Sequence, residues 1–237
     1  MLLAALPLAT LAACSAVTVG SVPTTGPLYL PGLAAHFCTA SVVSSPTRDL
    51  VITAAHCVFG TGVGMTFVPG SVNGSAPYGR WTVTSAYVDP AWKSRQDPLR
   101  DVAFLRVAPQ FAGGALRHVE ELTGGNRLIA TPRTIGQVVV PAYVLGVGGS
   151  PITCLATAYR TGAYSTFDCG GYDNGVSGAP WIQGATVLGV IGGLHQGGCT
   201  PTTSYSSPFD ATTLATFRRA VAKSPADVVP VPGSDGC

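Results

Sequence analysis

The chain has 237 residues, enough for one large domain or for two halves sharing an interface. Apolar residues make up 46% and charged ones only 10%, so a sizeable core is readily buried, and a net charge of +2 without a basic run excludes nucleic-acid partners. Thirty glycines and 19 prolines require many tight turns, which fits an all-β architecture better than a helical one.

Residues 1–20 carry no charge and read as a hydrophobic export segment ending near Leu11-Ala12-Ala13-Cys14. Small residues before a cysteine fit a plain signal-peptidase site. They also fit the lipobox of a bacterial lipoprotein, in which Cys14 becomes the lipidated first residue. The expected location is extracellular, either secreted or held at the cell envelope through Cys14; no later stretch is apolar for long enough to span a bilayer. Seven cysteines in an exported chain imply disulfides. With Cys14 removed or lipidated, Cys38, Cys57, Cys154, Cys169, Cys199 and Cys237 remain, and six cysteines allow fifteen complete pairings. No two of them have the two-residue spacing typical of zinc sites, so neither a metal nor another cofactor is expected.

Short β-branched and aromatic runs separated by Gly, Pro, Ser and Asn turns fill residues 28–205. Ala40-Ser41-Val42-Val43, Leu50-Val51-Ile52-Thr53, Trp81-Thr82-Val83-Thr84, Val102-Ala103-Phe104-Leu105-Arg106-Val107, Gln137-Val138-Val139-Val140 and Val187-Leu188-Gly189-Val190-Ile191 read as strands of a sandwich or barrel. The stretch 110–135, with Gly113-Gly114 and Gly124-Gly125-Asn126, reads as a crossover between two halves. A helix is expected over 210–223, where Leu214, Phe217 and Val221 form one apolar stripe. Asp210 is its N-cap, and Arg218, Arg219 and Lys223 lie toward the negative end of its dipole. This helix is expected to pack on the second half, and 224–237, rich in Pro and Gly, to follow as an irregular tail.

Three residues in this order carry chemistry. His56 follows the apolar run 50–55; alone it would be read as a core histidine bonded to a backbone carbonyl. Cys57 beside it and Cys38 nineteen positions earlier change that reading, because a Cys38–Cys57 bridge would hold the imidazole's loop rigid, as a general base needs. Asp101 opens a buried strand and could accept the proton on His56 Nδ1, fixing the tautomer and stabilising the imidazolium. Ser177 sits in Gly175-Val176-Ser177-Gly178-Ala179-Pro180, where small neighbours expose its hydroxyl. The amides of Gly175 and Ser177 would converge there as an oxyanion hole, each donor contributing roughly 3 kcal/mol in the transition state. A nucleophile, a base and a carboxylate that orients the base form the minimal kit for acyl transfer.

His36-Phe37-Cys38-Thr39-Ala40-Ser41, Thr53-Ala54-Ala55-His56-Cys57, Asp101-Val102-Ala103-Phe104-Leu105, Gly175-Val176-Ser177-Gly178-Ala179-Pro180 and Val187-Leu188-Gly189-Val190-Ile191-Gly192-Gly193 together resemble the chymotrypsin/trypsin-like serine peptidases, particularly their bacterial secreted branch. The last run looks like the strand that flanks the substrate backbone in that family. The resemblance covers about residues 28–222. It implies an all-β fold of two perpendicular six-stranded antiparallel barrels with a C-terminal α-helix. On this reading 21–223 is the peptidase domain, with one barrel over about 28–115 and the other over about 125–208. It implies a serine endopeptidase acting on protein or peptide substrates through His56 as base, Asp101 as its orienter and Ser177 as nucleophile. A monomer is expected, touching a membrane only through a lipid on Cys14. Of the remaining cysteines, a Cys154–Cys169 bridge would tie the strand before the serine loop to that loop and leave Cys199–Cys237 to pin the tail, with Cys169–Cys199, bridging both sides of the pocket, as the rival.

One departure concerns activation. Family members switched on by proteolysis carry an aspartate immediately before the serine; Val176 stands there, so no ion pair with a new N-terminus can order the oxyanion loop. The primary pocket is expected to be lined by Gly171, Tyr172, Asn174, Gly192, Gly193 and Leu194. Gly171 at its base argues against Arg or Lys selectivity and for a broad or apolar preference, with a glutamate-preferring pocket built on His195 as the alternative. An α/β-hydrolase esterase is excluded, because that fold needs an acid and then a histidine after the serine. Only His195 follows Ser177, with no Asp or Glu between them. A catalytically latent, protease-like binding protein is the remaining alternative.

Overall fold

The computed structural model describes residues 14–132, 134–233 and 236–237. The export segment therefore lies outside the described residues up to Ala13. From Cys14 the chain is docked on the body of the protein: β1 (Val17–Thr18) pairs with β12 (Ile152–Thr153). No helix among the described residues is long and apolar enough to cross a membrane.

The first half is a closed barrel of β2 (Thr25–Tyr29), β3 (His36–Val42), β4 (Leu50–Thr53), β5 (Thr66–Phe67), β6 (Trp81–Val88) and β7 (Ala103–Val107), in the order β2-β3-β4-β7-β6-β5. Closure leaves no edge to pair with another chain. Leu28, Val42, Val51, Phe67, Trp81, Val83, Ala103 and Leu105 fill it. Gly26 is obligatory in β2, because a Cβ there would overlap the Val68 carbonyl.

The crossover carries a hairpin, β8 (Gln110–Ala112) and β9 (Ala115–Arg117), turning at Gly113-Gly114, and then the short helix α2 (Val119–Thr123). The second half comprises β10 (Arg127–Leu128), β11 (Gly136–Val139), β12, β13 (Leu155–Thr161), β14 (Tyr164–Asp168), β15 (Pro180–Gln183), β16 (Thr186–Val190) and β17 (Thr203–Ser206). Six antiparallel strands run β16-β15-β11-β13-β14-β17, as expected, and the two-residue β10 adds a seventh, parallel to β16. The sheet curls so that β17 returns beside β16, joined by Gly192 N to Tyr205 O at 2.9 Å and Val190 N to Ser206 Oγ at 3.1 Å. Val138, Ala156, Ala158, Phe167, Trp181 and Leu188 form its core. A third cluster, including Val43, Ile52 and Phe104 from one half and Val187 and Val190 from the other, joins the two.

The helix is α3 (Ala211–Val221), preceded by α1 (Pro90–Arg95) in the first half. The Asp210 side chain caps α3 by accepting from Thr212 N and Thr213 N. It packs on β6 and β7 of the first barrel, not on the second half as the sequence suggested. Phe217 meets Phe104 edge-on at 5.4 Å, and Arg106 Nη1 donates to Ala220 O at 2.8 Å. The bridges are Cys38–Cys57, Cys154–Cys169 and Cys199–Cys237, so the Cys169–Cys199 alternative falls.

Candidate active site

Strand pairing brings His56 and Asp101 together. β4 and β7 are antiparallel neighbours with Thr53 opposite Ala103, so the residues just past the end of β4 lie beside those just before β7. His56 occupies a single 3₁₀ turn, Ala55–Cys57, which the bridge from Cys57 to Cys38 ties to β3. Its Nδ1 lies 2.7 Å from Asp101 Oδ2, and its own amide donates to Asp101 Oδ1 at 2.8 Å. Asp101 is fully buried, and Gly193 N supplies a further bond to Oδ2 at 2.7 Å. Two backbone amides, those of His56 and Gly193, donate to this one buried carboxylate and offset part of its lost hydration. An ionised carboxylate only accepts, so Nδ1 carries the imidazole proton and the Nε2 lone pair is left to receive another.

Ser177 lies between β14 and β15, half-buried, in the same cleft as His56. Among the described residues no hydrogen bond joins the two side chains; such contacts often form only with substrate bound. The serine turn is pressed against the first barrel. Ser177 O accepts from Thr39 N at 2.8 Å, and a Cβ at Gly178 would overlap Thr53 Oγ1 and the Thr39 carbonyl.

The structure answers how the oxyanion loop is ordered without an aspartate before the serine. Val176 is 5% exposed and sits in the second core with Tyr172, Cys154, Cys169 and Ile191. Leu145 N donates to Asn174 O at 2.6 Å, which turns the 174–175 peptide so that the Gly175 N–H faces the opposite way. Thr39 Oγ1 donates to Gly175 O at 3.1 Å and accepts from Tyr143 N at 2.9 Å. Gly175 has φ +92°, where a Cβ would overlap Leu145 N. Among the described residues neither Gly175 N nor Ser177 N donates a hydrogen bond, so both are unspent donors beside the Ser177 side chain. Leu145 and Thr39 were not singled out in the sequence. Thr39 lies within a recognised motif, whereas no local pattern marks Leu145.

The cleft has a volume of about 530 Å³. Of the expected pocket residues, Tyr172 and Asn174 line it. The other four do not. Gly171 turns toward Ala16 of the N-terminal segment. Gly192 lies over Asp101 and Ala54 with no room for a side chain. Gly193 leaves extended geometry at φ +87° to reach Asp101, and Leu194 opens a tight 3₁₀ turn, Leu194–Gly197. The chain after β16 is thus a turn with His195 and Gln196 left-handed, and its far side, with Cys199, Thr200, Pro201 and Ser204, lines the cleft instead.

Three groups of possible metal ligands occur among the described residues, Cys14/Cys154/Cys169, Cys38/His56/Cys57 and His195/Cys199/Cys237. Each contains a disulfide pair, whose sulfurs are not the thiolates that metals take up.

The family model described as Trypsin matches residues 14–215. No curated protein matches the chain. Among solved structures, the protease Anisep from Arthrobacter nicotinovorans is 22% identical, with a TM-score of 0.73 over 86% of this chain and 98% of that one. The thermostable serine protease AL20 from an extremophilic microorganism is 21% identical, with a TM-score of 0.71 over 86% and 99%. A Glu endopeptidase in complex with MPD is 16% identical, with a TM-score of 0.69 over 88% and 97%.

Proposed function

The chain belongs to the trypsin family of serine endopeptidases, and from that premise we propose that His56, Asp101 and Ser177 are its catalytic triad. His56 takes the Ser177 proton as the hydroxyl oxygen attacks the substrate carbonyl, and Asp101 stabilises the imidazolium. The tetrahedral oxyanion is held by the amides of Gly175 and Ser177. His56 then protonates the leaving amine, and water hydrolyses the acyl-enzyme by the reverse sequence. The observation that carries this reading is the doubly bonded Asp101–His56 pair in one cleft with Ser177 and two unspent amides.

A broad or apolar preference is favoured at the primary pocket. Apart from Asp173, His195 and His56, its lining is apolar, small or neutral. A second reading, preference for glutamate, is favoured by His195, which lines the cleft with its ring against Gly236. Three disulfides support an exported protein, and intact-mass measurement separates plain secretion from a lipid on Cys14.

The test is labelling of the disulfide-intact protein with a fluorophosphonate probe beside Ser177→Ala, followed by a peptide library varied at the residue before the scissile bond. Stoichiometric labelling abolished by the substitution is expected. A folded parent chain that takes no label would overturn the catalytic reading in favour of a latent binding protein.

A further inference from the structure

We propose that the segment after α3 is a specificity element, a strap that walls the acyl side of the cleft and limits how many residues ahead of the scissile bond add to substrate binding. The proposal rests on the peptidase reading above.

The strap is anchored at both ends and clamped in the middle. It starts on the first barrel at Asp227, which is 4% exposed. The Asp227 amide donates to Ala86 O at 2.9 Å, and its carboxylate accepts from Val88 N, Lys93 and Arg219. Val229 and Gly60 then exchange two backbone bonds of 2.8 and 2.7 Å. Next comes a clamp at Gln96, the left-handed residue ending α1: its Nε2 donates to Val231 O at 2.8 Å, and its Oε1 accepts from Gly233 N at 2.7 Å. Gly233 O in turn accepts from Gln196 Nε2 of the second half at 2.9 Å. The strap ends with Gly236 against the His195 ring and Cys237 bonded to Cys199 on the cleft wall. It therefore crosses from one half to the other between Gln96 and Gln196. Pro225, Pro230 and Pro232 stiffen it and remove donors that a passing peptide could use.

The crossing point decides the consequence. On the peptidase reading, the part of the cleft with Tyr172, Asn174 and Thr200 takes the residue whose carbonyl Ser177 attacks, and the leaving group lies toward Phe37 and Cys38, which the bridge to Cys57 sets beside the His56 that protonates it. Chain ahead of the attacked residue must leave past Gly193, His195 and Gln196. Beyond them lies a second hollow of about 470 Å³, which shares His195 and Gln196 with the cleft and is bounded by Trp92 and Gln96. Pro230 and Gly233 of the strap form its wall. At about 3.3 Å per extended residue, a peptide meets that wall after a few residues.

The experiment holds the cleaved residue and leaving group constant and varies the acyl side from one to six residues. It compares the full disulfide-bonded chain with two variants. One ends after Val229 and carries Cys199→Ser; the other is Gln96→Ala, which keeps the disulfide and removes only the clamp. Fluorophosphonate labelling of each, requiring only the serine site, reports whether that site is assembled. For the full chain, kcat/KM should stop rising beyond about three residues. The shortened chain should gain tenfold or more on the longest substrate, with Gln96→Ala in between. A full chain that gains with length as steeply as either labelled variant overturns the strap. A full chain that takes no label overturns the peptidase reading instead.

Discussion

Thr39 is the residue through which the first barrel holds the serine turn of the second half. Its hydroxyl bonds Gly175 O and Tyr143 N, and its amide bonds Ser177 O. Thr39→Val keeps the shape and the amide but leaves two buried backbone groups unpaired, costing about 1–3 kcal/mol of stability. Removing an oxyanion donor outright costs about 10²–10³ in kcat, so loosening the peptide that carries one should lower kcat roughly tenfold with KM little changed. Steady-state kinetics on one short substrate check this; a raised KM with kcat unchanged would place Thr39 in substrate binding instead. The same residue shows what could be read in the sequence. His56, Asp101 and Ser177 stand in short contiguous motifs, so they were legible. The means of ordering the oxyanion loop was not, because Leu145 and Asn174 meet through backbone atoms across a gap of 29 positions. Gly192, Gly193 and Leu194 were placed on the continuation of the strand over 187–193, and left-handed residues at His195 and Gln196 fold the chain there into a turn that hydrophobic periodicity cannot report.

At the scale of elements, His56, the proposed base, is held by two constraints, the β4–β7 ladder and the bridge from Cys57 to β3. Closing a loop of 19 residues in the unfolded chain contributes about 3 kcal/mol, so Cys38→Ala with Cys57→Ala should shift urea unfolding by that amount. Because the bridge also fixes the 3₁₀ turn of His56, kcat should fall in conditions where the variant remains fully folded. Unchanged kcat in the folded variant would mean that the ladder alone positions the base. The barrel strands were legible because they are continuous and apolar. β13 was not, since it alternates exposed residues with the small buried side chains of Ala156 and Ala158. α3 was found with its cap, yet its buried face was misjudged. Leu214, Phe217 and Val221 are only half-buried, and the buried line is Thr213, Thr216 and Ala220, one position earlier. A stripe of threonine and alanine is nearly silent in hydropathy. Its docking on β6 and β7 depends on contacts such as Arg106 to Ala220 that sequence spacing does not encode.

For the molecule as a whole, acid stability should be lost in two stages. His36 is 1% exposed; its Nε2 lies 2.6 Å from Val144 O, and its Nδ1 is buried without a partner. Burial lowers its pKa, only partly opposed by the bond to Val144 O. The neutral ring therefore stabilises the fold fully above the unfolded histidine value of about 6.5. As pH falls from there toward the lower folded value, the unfolded chain binds a proton that the native chain refuses, and stability drops by up to about 1.4 kcal/mol per pH unit. Asp227 follows at lower pH. Burial raises its pKa, but hydrogen bonds from Lys93, Arg219 and Val88 N outweigh that, and the net shift is downward. Its contribution is present above about pH 4 and is lost as pH falls through its depressed folded value. His36→Gln can keep the donor to Val144 O without a titrating ring. Unfolding free energy followed from pH 8 to 4 should then decline below pH 6.5 with one proton's slope less in the variant than in the parent chain. Parallel curves would assign the acid lability elsewhere. Because His36 also holds Val144, next to the Leu145 that orients the Gly175 peptide, the parent chain's labelling by a fluorophosphonate should fall more steeply than that of His36→Gln only below that interval, where the native ring itself takes a proton.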